Sequence, residues 1–213
     1  HRNYANFLRY MKHCDEALKE ITLAQDLNPL NIWVYSEAIA INIILERYDD
    51  ALTWFNKGNI IEQNNFYLHR HLGRLYLKLG KYNDALIAFE KERDFAPDER
   101  YKKEGELDLH LTYAYSGEKK IAEKFLQKLI KENEQNKRDS SIPVYIATIY
   151  TALGDYTSAI EWLEKAYNVP KIYYSSSITK IYSYFEFDPL RSNPRFQALL
   201  KKMHFPEEKS LGK

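Results

Sequence analysis

The 213-residue sequence has one cysteine, seven glycines and seven prolines. A single thiol, Cys14, excludes an internal disulfide and any multi-cysteine metal site. So few glycines and prolines, with no sustained alternation of β-branched residues, leave little room for sheet and point to helix throughout. Charge of one sign is also missing: the formal net charge is +1. A general electrostatic affinity for nucleic acid or an anionic membrane is therefore not expected. Nor is there a long apolar run. The longest, Ile39 to Leu45, is interrupted by Asn42 and falls far short of the roughly 20 residues that span a bilayer. With no signal peptide either, the expected location is cytoplasmic. The chain begins at His1 rather than Met, which points to a piece of a longer protein.

Chemistry-bearing motifs are scarce too. There is no HExxH, no paired CxxC and no glycine-rich phosphate loop, so no cofactor, metal or catalytic residue is expected. Ser177-Ile178-Thr179-Lys180 matches S-x-x-K in form alone, without its companion motifs. His69 and His71, two apart on a helix, point to different sides. Cys14 falls at a packing position and reads as a buried thiol. The 45% hydrophobic and 29% charged content suits a folded domain.

What the sequence does have is a period. Ala17, Ala51, Ala85, Ala122 and Ala159 are spaced 34, 34, 37 and 37 residues apart. Four residues after each stands a large apolar side chain: Ile21, Phe55, Phe89, Leu126 and Leu163. Three before most of them stands Cys14, Tyr48, Tyr82 or Tyr156, and five before the last three stands Gly80, Gly117 or Gly154. One supersecondary unit is copied along the chain. In the third copy, Leu72, Gly73 and Tyr76 mark a first helix. Gly80 stops it, because glycine accepts the left-handed geometry past a helix end. Tyr82, Ala85, Leu86 and Phe89 mark a second helix, with Asp84 in its first turn, where a carboxylate opposes the helix dipole. Pro97 closes the unit. The small alanine permits close approach of two helices, and a larger residue there would strain the packing by ~1–3 kcal/mol. Most of the 18 tyrosines are read as packing residues with a polar tip.

Leu72-Gly73, Tyr76, Gly80, Tyr82, Ala85, Phe89 and Pro97 resemble the tetratricopeptide repeat. His69 stands where that family prefers Trp, and Glu92 where it prefers Ala. The resemblance implies an all-α, right-handed superhelical solenoid of antiparallel helix pairs. The expected organisation is one array over residues 1–204. Its repeats fall at about 1–31, 32–65, 66–99, 103–136 and 140–173, followed by divergent and capping helices at 174–204 and a tail at 205–213. The two 37-residue spacings place extra residues near Arg100-Tyr101-Lys102 and Lys137-Arg138-Asp139, as longer loops. Alternatively, the second helix of the fourth copy is a turn longer. Ile172 to Phe187 reads as the first helix of a divergent sixth unit. Asn193-Pro194 opens a capping helix with Phe196, Leu199, Leu200 and Met203 on one face. Phe187-Asp188-Pro189-Leu190-Arg191 and Asn193-Pro194-Arg195-Phe196 resemble the end of such arrays in bacterial winged-helix regulators and class III cyclases. That likeness implies a sensor or interaction part of a larger signalling protein, with any DNA-binding or catalytic domain lying upstream.

By the same resemblance, the first helices line a concave face that binds a protein or peptide segment. Its positions fall on Arg2 and Asn6 in the first copy, Trp33 and Glu37 in the second, Tyr67, Arg70, His71, Arg74 and Lys78 in the third, Glu104 and Asp108 in the fourth, and Tyr145 in the fifth. Arg70, Arg74 and Lys78 recur at i, i+4 and i+8 as a basic stripe. One reading is a site for a carboxylate-bearing, acidic partner. The other is a solvated face paired with Glu37 or Asp108. Glu37 stands where chaperone-tail binders need Asn, so that subclass is disfavoured. Direct nucleic-acid binding by a helical-repeat code lacks a repeated base-reading pair.

Overall fold

A computed structural model describes residues 1–136, 141–169 and 178–205. Lys137-Arg138-Asp139, residues 172–177 and the tail from Pro206 lie outside the described residues. Those described form α-helix and short 3-10 helix, with no strand among them. Four helix pairs pack together: α1 (Arg2–Tyr10) with α2 (Cys14–Leu27), α3 (Ile32–Ile44) with α4 (Tyr48–Ile61), α5 (Phe66–Lys78) with α6 (Tyr82–Asp94), and α9 (Ser141–Leu153) with α10 (Tyr156–Tyr167); between them in the chain come α7 (Glu99–Tyr115), which packs on α6, and α8 (Lys119–Gln135). The chain divides into two compact units, His1–Ala122 and Glu123–Lys213, and the division falls inside α8.

All five periodic alanines are fully buried. In the first unit, Ala17 lies in an apolar cluster with Ala5, Leu8, Cys14 and Ile21, to which Val34, Ala38 and Ile41 of the following helix are added. Ala51 lies in the next cluster with Tyr35, Ile39, Ile43, Leu68 and Leu75. Each layer thus combines one helix pair with the first helix of the next pair. Gly73 serves the same close approach. A Cβ there would come within 2.5 Å of the Phe89 ring, so the ring of the second helix lies where a side chain of the first would stand.

The turn between paired helices holds one left-handed residue in every copy: Lys12 (φ 61°), Glu46 (58°), Gly80 (70°), Gly117 (92°) and Gly154 (86°). Their spacing repeats the 34, 34, 37, 37 pattern of the alanines. The turn geometry is common to the five copies, and only three of them use the residue that adopts it without strain. Three first helices, α3, α5 and α7, are opened by side-chain caps. Asn31 accepts from the Trp33 amide, Asn65 from the Tyr67 and Leu68 amides, and Asp98 from the Arg100 and Tyr101 amides.

Two expectations change. Arg100-Tyr101-Lys102 is not a lengthened loop. The Asp98 cap starts α7 at Glu99, and these residues form its first turn, giving a helix of 17 residues where α5 has 13. α8 also has 17 residues, as the alternative reading of the long spacing required. The sixth unit does not open with an α-helix in its described part. Residues Ile178–Tyr182 and Phe185–Leu190 are two 3-10 helices, separated at Tyr184, whose backbone is extended (ψ 126°). Pro189 supplies no amide for a longer helix.

The second unit closes on a capping helix, α11 (Pro194–Lys202), opened by Asn193 accepting from the Arg195 amide. Phe196, Leu199 and Leu200 of α11 join Ala159, Leu163 and Ala166 of α10, with Ile178, Ile181, Phe187 and Leu190, in one buried cluster. Arg195 reaches Glu164 of α10 at 2.8 Å. The basic residues Lys201 and Lys202 sit in the last turn of α11, where the dipole favours cations.

Candidate functional site: the first-helix face of the amino-terminal unit

The first helices α1, α3, α5 and α7 lie side by side, and their contacts show which predicted residues come together. Asn6 of α1 donates to Glu37 of α3 at 2.9 Å. Arg9, a residue that the sequence reading did not select, makes a short, buried charge-assisted bond to the same carboxylate. Glu37 is thereby a buried, neutralised link between α1 and α3, not an open acceptor.

A second link joins α5, α6 and α7. Arg70 Nε donates to Glu92 Oε1 at 2.5 Å. Its Nη2 lies 2.8 Å from Glu104 Oε2, and Nε lies 3.9 Å from Asp108. Of the two readings of the basic stripe, the paired one describes Arg70, with Glu92 and Glu104 added to Asp108. Burial alone would lower the guanidinium's proton affinity, but the three carboxylates more than reverse this and raise it. Glu92 has no exposed surface. Burial pushes its carboxyl well above the ordinary carboxylate range, against the pull of Arg70. Burial raises Asp108 also, opposed by Arg74 and Arg70. Glu92 Oε2 has no donor facing it, while Asp108 is within hydrogen-bonding reach of Glu92.

Above this cluster runs a ladder of rings. Trp33 of α3 and Tyr67 of α5 have centroids 4.3 Å apart, and Tyr67 and Tyr101 of α7 are 5.6 Å apart. Phe66 fills the angle between Tyr67 (4.0 Å) and Tyr101 (4.8 Å). Trp33, Tyr67 and Tyr101 are spaced 34 residues apart, and each follows a helix cap by two or three residues. Arg2 of α1 extends the row, its guanidinium 5.6 Å from the Trp33 ring. Arg70 stands 5.3 Å from the Tyr67 ring. Burial, with the hydrogen bond to Tyr101, raises the Tyr67 hydroxyl above its ordinary range. Trp33 keeps 40% of its surface exposed and is the open rung.

The other predicted residues are placed as follows. His71 and Arg74 are half-buried on α5, and Lys78 lies 3.9 Å from Glu46. Tyr145 is half-buried on α9, in the second unit. Arg9, Phe66, Glu92 and Tyr101 are the residues the sequence reading missed. The 34-residue phase from Trp33 through Tyr67 leads to Tyr101, so that signal was present. Glu92 was visible as a carboxylate at an alanine position. Nothing in the pattern identified Arg9 as Glu37's partner. Among the described residues, no group of three His, Cys, Asp or Glu converges as a metal site, and no helix is long and apolar enough to cross a membrane.

Stacked helix pairs around buried alanines, with side-by-side first helices, define a helical-repeat protein. Residues 71–91 and 146–171 match the tetratricopeptide-repeat family model. Its fold is similar to that of a tetratricopeptide repeat protein from Parabacteroides merdae ATCC 43184 (20% identity, 98% of this chain and 78% of that one, TM-score 0.61). YrrB, a TPR protein with an unusual peptide-binding site, aligns over 78% of this chain and 83% of its own at 22% identity, with a TM-score of 0.43. No curated protein matches the sequence.

Proposed function

We propose that the chain is a non-catalytic interaction module and that the first-helix face of its amino-terminal unit docks a protein or peptide segment. The observation that carries this is the aromatic ladder, with Trp33 open at its edge and a guanidinium beside it. A large rigid ring with exposed surface is the kind of residue that dominates binding energy at interfaces. The partner chemistry that fits is an apolar or aromatic side chain against Trp33, with a nearby carboxylate on Arg2. Arg70 contributes less than the basic stripe implied, because Glu92, Glu104 and Asp108 already surround it. An acidic partner would instead meet Arg2, with Arg74 and Lys78 further along α5.

Panning a random peptide library against the chain tests this reading. Enriched peptides should carry an acidic residue near an aromatic one and should bind Trp33→Ala at least about tenfold more weakly. Peptides that bind Trp33→Ala and Tyr67→Ala as well as the parent would remove the ladder from the proposal. The wider context, a cytoplasmic bacterial signalling protein with an upstream output domain, is supported by the Phe187–Arg191 and Asn193–Phe196 segments. The domain composition of the full-length gene product tests it, and a product consisting of helical repeats alone would refute it.

A further inference from the structure

The seam between α6 and α7 gathers three carboxyls around the guanidinium of Arg70. Glu92 of α6 faces Glu104 and Asp108 of α7. From α5, Arg70 lies within 3.9 Å of all three, and Arg74 acts on Asp108. Arg100 of α7 stands 3.6 Å from Glu104, but its side chain is 75% exposed and water weakens the pairing. Glu92 is the carboxyl this seam serves worst. Arg70 donates to its Oε1, while its Oε2 is buried with no donor facing it. The α7 side chain within hydrogen-bonding reach of Glu92 is Asp108, another carboxyl. Ionising both sets like charges side by side, away from water.

Water has little room to enter beside them. Arg93 follows Glu92 in α6, and Gly105 follows Glu104 in α7. A Cβ on Gly105 would stand 3.0 Å from the Arg93 backbone. The two helices thus approach at backbone level one residue from Glu92 and one from Glu104. Hydrating an ionised Glu92 requires them to separate.

We infer that the α6–α7 seam is a proton-operated clasp: it closes on a protonated Glu92, and parting α7 from α6 hands that proton to water. Burial, against the pull of Arg70, pushes the closed-state carboxyl up to about 8 from its ordinary 4.5. Between these values each unit of pH rise makes opening about tenfold easier, and above the higher one the effect levels off. Opening also carries away Tyr101, which sits in the first turn of α7 and contacts Phe66 and Tyr67. The clasp needs no partner and does not rest on the docking reading.

Hydrogen exchange of the whole chain, corrected for the intrinsic pH dependence of the chemistry, is the test. Protection of amides in residues 89–94 and 99–109 should fall about tenfold per pH unit from about pH 5 to 8. The fall should be insensitive to low urea, because a local opening exposes little surface. Glu92→Gln keeps a neutral acceptor for Arg70 and should hold protection constant over the same range. Protection that stays flat in the parent would overturn the clasp. So would an equal fall in Glu92→Gln, or a fall that follows urea as global unfolding does. If Glu92→Gln fails to fold, carbon-13 NMR of the Glu92 carboxyl in the parent decides. A midpoint above about 7 supports the clasp, and one below it overturns it.

Discussion

Arg70 of α5 donates to Glu92 of α6 at 2.5 Å, and Glu92 has no exposed surface. An arginine that the sequence places on a ligand-facing stripe thus ties two helices of its own repeat together, with Glu104 and Asp108 of the next repeat on its other side. Removing Arg70 leaves the buried carboxyls of Glu92 and Asp108 without the donor they surround, and a buried polar group left unsatisfied costs more than the bond contributed. Arg70→Ala should therefore destabilise the chain by about 3 kcal/mol, measured by urea unfolding. A loss below ~1 kcal/mol, the range of exposed pairs, would show that water reaches the three carboxylates freely.

The same cluster sets a pH dependence. In the folded chain burial pushes the Glu92 carboxyl up to about 8 from its ordinary 4.5, against the pull of Arg70. Between these values the native state holds a proton that the unfolded chain has released. Stability from this group is therefore complete below the unfolded value and is lost as pH rises through the folded one. Stability measured from pH 5 to 9 should decline more steeply in the parent than in Glu92→Gln, which keeps the neutral shape. Parallel profiles would show that Glu92 is ionised throughout.

Lys12 and Glu46 occupy left-handed turn positions that the later copies give to glycine. A non-glycine residue there costs about 1–2 kcal/mol, while glycine costs about 0.5–1 kcal/mol in chain entropy. Lys12→Gly and Glu46→Gly should each stabilise by about 0.5–1 kcal/mol, read as a higher urea midpoint. Gly80→Ala should lower it. A midpoint that moves down on Glu46→Gly would mean the turn is held by side-chain contacts rather than by backbone preference.

Gly73→Ala sets two effects against each other. Alanine gains up to about 1 kcal/mol of helix propensity. Its Cβ, however, would stand 2.5 Å from the Phe89 ring, and overpacking of a core costs ~1–3 kcal/mol. Packing should win, with a lower melting temperature. Gly73→Ala together with Phe89→Leu should recover part of the loss. No recovery would place the strain elsewhere.

Cys14 is buried and its thiol is pushed up to about 11, mainly by burial. A thiol-directed reagent at neutral pH should label it only in denaturant. Rapid labelling of the folded chain would mean that α1 and α2 open readily.

The sequence by itself determined the repeat. Alanine period, glycine turns, helix caps and the Asn193-Pro194 start are local rules of backbone geometry and close approach, so they can be read one residue at a time. Only the tertiary structure decided what the charged residues do. Arg70 and Glu37 occupy phases that the repeat resemblance assigns to a binding wall, yet they are held by Glu92, Glu104 and Arg9, residues up to 34 positions away that belong to neighbouring helices. Which long side chain meets which is set by how the helices stack. The same holds for Arg100-Tyr101-Lys102, whose polar composition suits a loop equally well. The Asp98 cap and the ring contacts with Phe66 and Tyr67 make it the first turn of a helix.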